Sequence, residues 1–152
     1  MVEEVTCPLT KGENILIAVD GSRDSDFALE QAFSMANTCN SKLYAITVID
    51  TYPKQIEGTP GMKEQMEKEA QSLLQTVEAK ANEKNIPVET VAHWGRHPHE
   101  AIIRESKDKG IDLIVLGTHG RTGLKKFFMG SVAQKVIGYA RCPVMVVPGE
   151  HE

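Results

Sequence analysis

The chain has 152 residues, of which 41% are hydrophobic and 25% are charged, and its formal net charge is −4. This length predicts one domain, residues 1–152, with a core large enough to need no covalent or metal staple. The acidic balance argues against a nucleic-acid-binding or membrane-surface protein, and no stretch approaches the roughly 18 apolar residues of a membrane span. Residues 1–13 are polar and acidic, so we expect a flexible leader rather than a signal peptide.

The three cysteines, Cys7, Cys39 and Cys142, stand far apart in the sequence and form no C-x-x-C motif. An odd number at such spacings indicates neither a disulfide framework nor a metal site. We therefore expect three reduced thiols in a cytoplasmic protein.

The predicted elements alternate between strand and helix along the whole chain. Apolar runs bounded by turn residues predict strands, and apolar residues at helical spacing predict helices. The predicted strands are 14–20, 42–50, 87–94, 111–116 and 142–147, and the predicted helices are 22–36, 59–81, 101–109 and 131–139. Ser22 is expected to cap the first helix, and Thr59, followed by Pro60, is expected to cap the second.

This order predicts the α/β class, with a single doubly wound five-stranded parallel sheet and helices on both faces. Pro143 lies inside the last predicted strand, and proline is tolerated at the edge of a sheet but not at its centre. A strand order of 3-2-1-4-5 gives a doubly wound parallel sheet and places the last strand at an edge. The topological switch point then lies between the strands that end at Asp20 and Gly117, where a ligand is expected.

The most informative stretch runs from Asp112 to Ile137, with the sequence DLIVLGTHGRTGLKKFFMGSVAQKVI. It contains the residues Gly117, Gly120, Gly130 and Ser131, which allow close backbone approach at the start of a helix. Its basic residues include His119, Arg121, Lys125 and Lys126. No acidic residue lies between Leu113 and Gly149. This combination predicts a phosphate site.

Each of these features also has a simpler interpretation. Glycine-rich turns occur in doubly wound folds without a ligand, since tight helix–strand packing alone selects glycine. Asp20 at a strand end can serve only the following turn, and Ser131 can serve only as a helix cap. Lys125 and Lys126 can equally face solvent. The P-loop motif and the dinucleotide motif G-x-G-x-x-G are both absent.

The spacing Gly117-x2-Gly120-x9-Gly130-Ser131 resembles the ATP-binding branch of the universal stress protein family. VDGS after the first strand and CPVMVV at the last strand fit the same pattern, and the resemblance covers residues 15–147. It implies a pocket with Asp20 near the ribose or adenine, and with the main chain of Val48 at the adenine edge. It also implies nucleoside contacts from Leu116 and Gly117, and phosphate contacts from Gly120, Gly130, Ser131 and Val132.

The function that this resemblance implies is a cytoplasmic ATP-binding module with a regulatory or signalling role. Mg²⁺ is expected to accompany the nucleotide through phosphate oxygens and water. The alternatives are a nucleotide-free dimeric interaction module and a slow ATPase or self-phosphorylating protein. We expect at most slow hydrolysis, because the loop offers no base or nucleophile beyond Ser131 and His119. AMP or a cyclic nucleotide in place of ATP, the stress signal and the downstream partner all stay open.

Two further features lie outside the glycine stretch. His93, His97 and His99 surround Trp94 and Gly95, and we interpret them as part of a solvated turn rather than a metal site. The apolar run Val144–Val147 carries no charge that would block pairing at a sheet edge. It therefore predicts a homodimer in which two copies of the last strand pair antiparallel.

Overall fold

The computed structural model describes residues 5–50, 60–119 and 129–149. Its strands are β1 (Asn14–Ala18), β2 (Lys42–Asp50), β3 (Val88–Gly95), β4 (Leu113–Gly117) and β5 (Val144–Val147). Its helices are α1 (Arg23–Cys39), α2 (Met62–Glu83), α3 (Pro98–Asp108) and α4 (Ser131–Tyr139). None of the helices in these ranges is long and apolar enough to cross a membrane.

The five strands form one parallel sheet in the order β3-β2-β1-β4-β5. The predicted fold class and strand order are thus confirmed. β1 lies at the centre and is paired on both sides, with Leu16 opposite Tyr44 of β2 and Ile114 of β4. Because the chain turns to one side after β1 and to the other after β4, their carboxyl ends diverge and leave a crevice.

Two apolar clusters cover the two faces of the sheet. Ile15 and Ile17 point to the cluster that also contains buried residues of α1 and α2. Leu16 points to the opposite cluster, which contains buried residues of α3 and α4. All three strand residues are fully buried, which explains why the strand reads as a continuous apolar run. The helices therefore lie on both faces, as predicted.

The starts of several elements differ in detail from the sequence prediction, most informatively those of α2, α3 and β5. Ser22 caps α1 as expected, since its Oγ accepts the Ser25 N–H at 3.2 Å. The predicted Thr59 cap is wrong, because α2 begins after Gly61, a left-handed residue with φ 82°. α3 begins at Pro98, three residues earlier than predicted, because proline suits the first helical position. β5 begins at Val144, so Pro143 precedes the edge strand rather than lying inside it.

The expectation of three free thiols is wrong for two of the cysteines. Cys7 and Cys39 form a disulfide, while Cys142 is free. The bond joins the chain before β1 to the last residue of α1. Ser41 Oγ donates a hydrogen bond to the Gly12 carbonyl, and Leu9 packs against the core. The sequence separation of 32 residues gave no indication of this contact, which depends on the fold.

Candidate nucleotide site

A cavity of about 410 Å³ lies at the carboxyl edge of the sheet, between the ends of the central strands and the first turns of α3 and α4. Its apolar lining comprises Ala18, Ile46, Val48, Ile102, Leu116 and Ala133. Its charged and imidazole groups are Asp20, Asp50, Arg96, His97, His99, His119 and Lys135. Small-molecule sites typically occupy roughly 300–1,000 Å³ and combine an apolar lining with a few polar groups. The cavity fits that description.

The N-terminus of α4 supplies polar backbone to this cavity. Its N-cap is Gly130, which has no side chain to accept hydrogen bonds from the first-turn amides. Gly130 itself is fixed, because its N–H donates to the Thr118 carbonyl at 2.7 Å. Ser131 and Val132 follow it along the cavity wall. Uncapped amides and the positive end of the helix dipole favour an anion at this position.

Asp20 lines the same cavity from the end of β1, but one of its oxygens is already engaged. Asp20 Oδ1 accepts the Ser22 N–H at 2.9 Å, and the Asp20 N–H donates to Ser25 Oγ at 3.1 Å. These bonds belong to the turn that leads into α1. The carboxylate therefore serves the turn while it also faces the cavity.

The other predicted site residues are brought together where the structure describes them. Val48, Leu116, Gly117 and His119 line the cavity together with the start of α4. Gly120 and Arg121 lie outside the described residues, as do Lys125 and Lys126. The crevice between the ends of β1 and β4 is thus the location that the strand order predicted.

Sequence reasoning missed a basic side of the cavity. His97 and His99, interpreted as part of a solvated turn, line it from the start of α3, together with Arg96. Lys135 lines it from α4. The signal that could have found the histidines is their position just after β3, since all carboxyl ends of parallel strands meet at one edge of a sheet.

His99 is held against α4 by a stacked ring. The centroids of the His99 and Tyr139 rings lie 5.9 Å apart at an interplanar angle of 22°. Burial and the positive charge of Lys135 lower the pKa of His99 below its ordinary value, against the opposing effect of Glu100. These effects favour the neutral imidazole, which presents one donor and one acceptor.

His119 is held by a buried carboxylate that sequence reasoning also missed. Asp24 Oδ2 accepts the His119 main-chain N–H at 3.0 Å and lies 3.0 Å from the ring Nδ1. Both side chains are at least nine-tenths buried. Asp24 reads in the sequence as an ordinary acidic residue in the first turn of a helix, where acids interact favourably with the dipole.

The three histidines around Trp94 separate in the structure. His93 Nε2 lies 3.1 Å from Glu105 Oε2, whereas His97 and His99 face the cavity. Across residues 5–50, 60–119 and 129–149, no group of three or more histidine, cysteine, aspartate or glutamate side chains is arranged to hold a metal ion.

Comparison with known proteins gives consistent matches along the chain. The model of the universal stress protein family matches residues 12–148. Universal stress protein MJ0531 of Methanocaldococcus jannaschii is 36% identical over 149 aligned residues, which cover 91% of this chain and 86% of that protein. The solved structure of the M. jannaschii protein MJ0577 superposes with a TM-score of 0.81 at 26% identity and covers 92% and 98% of the two chains.

A further solved structure carries a ligand. It is a universal stress protein family protein from Arabidopsis thaliana with AMP bound, and it superposes with a TM-score of 0.70 at 21% identity. The alignment covers 91% of this chain and 92% of that one. At this identity the likeness extends to the fold alone.

Proposed function

The chain belongs to the universal stress protein family, and from this premise we propose that it binds ATP in the cavity at the carboxyl edge of its sheet. The observation that carries the proposal is the N-terminus of α4. Its first amides have no side-chain cap, and they open into a cavity with an apolar lining. An adenine ring suits the apolar part, and a phosphate suits the amides.

The charge distribution supports a phosphorylated ligand. Arg96 and Lys135 line the cavity beside Asp20 and Asp50, and no acidic residue occurs between Leu113 and Gly149, the stretch that includes α4. AMP bound by the Arabidopsis thaliana relative supports an adenine nucleotide in particular. We propose that Mg²⁺ enters with the nucleotide and is held by phosphate oxygens and water.

The role that fits these features is regulation by a bound nucleotide, with at most slow hydrolysis. Efficient phosphoryl transfer needs positioned cations and an oriented nucleophile. We propose further that the protein works in the cytoplasm as a homodimer joined through β5. The competing candidate is the nucleotide-free interaction module. A dimer through β5 is consistent with both candidates, so it does not distinguish them.

Gly130 offers the sharpest test of the binding site. Its φ of −60° is available to any residue, so Gly130→Val introduces no backbone strain at this position and obstructs ligand approach to the α4 amides. Gly138→Val is the matched control, because a Cβ at Gly138, in the same helix, would meet nothing within 4 Å. We expect calorimetry to show that Gly130→Val abolishes ATP binding and that Gly138→Val retains it.

Two outcomes would count against this assignment. If folded Gly130→Val binds ATP as tightly as the parent, the amides of α4 do not contact the ligand. If the parent binds no adenine nucleotide while it forms a dimer, the nucleotide-free module is the better description.

A further inference from the structure

Asp24 is a buried carboxylate with a specific set of partners. It lies in the first turn of α1, and only 6% of the residue is exposed. Its Oδ2 atom receives the main-chain N–H of His119 and lies at hydrogen-bonding distance from the ring of the same residue. Burial of a carboxylate is costly unless hydrogen bonds compensate for the lost water. The hydrogen bonds from His119 therefore offset part of the free-energy cost of burying the Asp24 carboxylate.

Two glycines enclose Asp24 so closely that it has little freedom to move. A Cβ added to Gly117, at the end of β4, would lie 2.8 Å from the Asp24 carbonyl carbon. A Cβ added to Gly149, just after β5, would overlap Asp24 Oδ1. Asp24 thus packs with its backbone and Cβ against the end of β4 and with its carboxylate against the residue that follows β5.

Main-chain hydrogen bonds link the contact between Asp24 and His119 to the start of α4. His119 follows Thr118, whose carbonyl accepts the Gly130 N–H at 2.7 Å. The Thr118 N–H donates to the Val147 carbonyl at 3.0 Å, which ties the same residue to β5. Thr118 therefore lies between two contacts, since it is covalently joined to His119 on one side and hydrogen-bonded to the N-cap of α4 on the other.

We propose that Asp24 is a positioning residue for the phosphate-binding end of the cavity. By holding His119, it sets the position of Thr118 and of the α4 amides that begin at Gly130. This inference rests on the proposed nucleotide site. On this proposal Asp24 strengthens ATP binding. Its charge alone would weaken binding, because a carboxylate repels a nearby polyphosphate.

Positioning and charge repulsion predict opposite changes in ATP affinity when Asp24 is neutralised, so one substitution distinguishes them. Calorimetry should compare Asp24→Asn with Asp26→Asn, which makes the same charge change at an exposed position in the same helical turn. We expect Asp24→Asn to weaken ATP binding about tenfold, because a neutral amide oxygen accepts from His119 more weakly than the carboxylate does. Adenosine, which lacks phosphates, should bind both variants as it binds the parent. Asp26→Asn should leave ATP affinity unchanged.

A conservative substitution of His119 separates positioning from general stability. His119→Ala removes the ring and should weaken ATP binding, whereas His119→Asn should restore it, because the Asn amide places an N–H near the position of Nδ1. In the His119→Ala background, the additional effect of Asp24→Asn should be smaller than in the parent, since the two residues act through one contact.

The proposal is overturned if Asp24→Asn binds ATP as tightly as the parent or more tightly, or if adenosine loses as much affinity as ATP. Amide hydrogen exchange at His119 in the ligand-free protein gives an independent readout, and Asp24→Asn should accelerate it relative to Asp26→Asn. If the parent binds no ATP, the proposed function fails, and the exchange rate still decides whether Asp24 holds His119. An unchanged rate overturns that contact.

Discussion

The properties of single residues around the cavity depend on neighbours that belong to other elements. His99 belongs to α3, yet the ring of Tyr139 and the charge of Lys135 both come from α4. Burial, followed by the charge of Lys135, lowers the pKa of His99. The uncharged ring is therefore favoured beside Lys135, since it avoids repulsion between two positive charges.

This arrangement predicts the outcome of a proton NMR titration. The midpoint for His99 should lie below that of an ordinary exposed histidine, since burial and Lys135 both disfavour the charged ring. Lys135→Gln should raise the midpoint. Lys107→Gln, an exposed position near the end of α3, should leave it unchanged. A parent midpoint at or above the ordinary value would contradict the prediction.

Three aspartates show which contacts a sequence can predict. Asp20 was identified because it directly follows a strand at the switch point, and it lines the cavity there. Asp112 binds the main-chain N–H groups of Glu13 and Asn14, each at 3.0 Å, at the opposite edge of the sheet. Asp24 was missed because its partner, His119, is 95 residues away. Local patterns indicate turns and caps, but long-range pairs depend on the fold.

At the scale of elements, hydrophobic periodicity was sufficient to predict all nine helices and strands within the described ranges, but it did not give the first residue of every element. α2 begins at a glycine cap, and α3 begins at its proline, because local backbone preferences decide the first turn. Pro143 led to the correct edge position for β5, although it lies just before the strand. Its carbonyl still accepts the Ile114 N–H at 3.0 Å, so Pro143 remains joined to β4 although it has no N–H to donate.

The disulfide between the leader and α1 predicts a specific count of reactive thiols. Denatured, non-reduced protein should accept one alkyl group, at Cys142, and reduced protein should accept three. In the folded protein Cys142 should react slowly at neutral pH, because burial and Asp112 raise its thiol pKa. Mass spectrometry after alkylation measures all three states. Three groups on freshly isolated, non-reduced protein would show that Cys7 and Cys39 are not joined.

β5 is the element on which the proposed dimer depends. It pairs only with β4 within the described chain, and Val144, Met145 and Val146 each retain partial exposure. An unprotected apolar edge is a template for pairing with another strand. Two copies related by a two-fold axis would satisfy both edges in the antiparallel sense.

Lysine at this edge should prevent the pairing. We expect Val146→Lys to shift the protein from dimer toward monomer in sedimentation at micromolar concentration, while circular dichroism stays close to that of the parent. Met62→Lys is the control, because Met62 is an exposed apolar residue at the start of α2, away from β5. A monomeric parent would contradict the proposed assembly.

At the scale of the whole molecule, strand order decides where chemistry can occur. Because β1 is central and its neighbours β2 and β4 lead to helices on opposite faces, one crevice opens at the carboxyl ends of these strands. Residues as distant in sequence as Asp20, His99 and Ser131 line that crevice together. Its location followed from the glycine spacing and the strand order, whereas its basic α3 side required the structure.

Native mass spectrometry can show directly whether the cavity binds ATP. The nucleotide-free protein would be equilibrated with Mg²⁺ and equal amounts of ATP, AMP, cyclic AMP and GTP, and the mass of the bound species would then be measured. We predict one ATP per chain in the parent and in Gly138→Val, and none in Gly130→Val. A parent spectrum that contains only unliganded protein, or GTP bound as readily as ATP, would contradict an ATP-binding cavity at the end of β1 and β4.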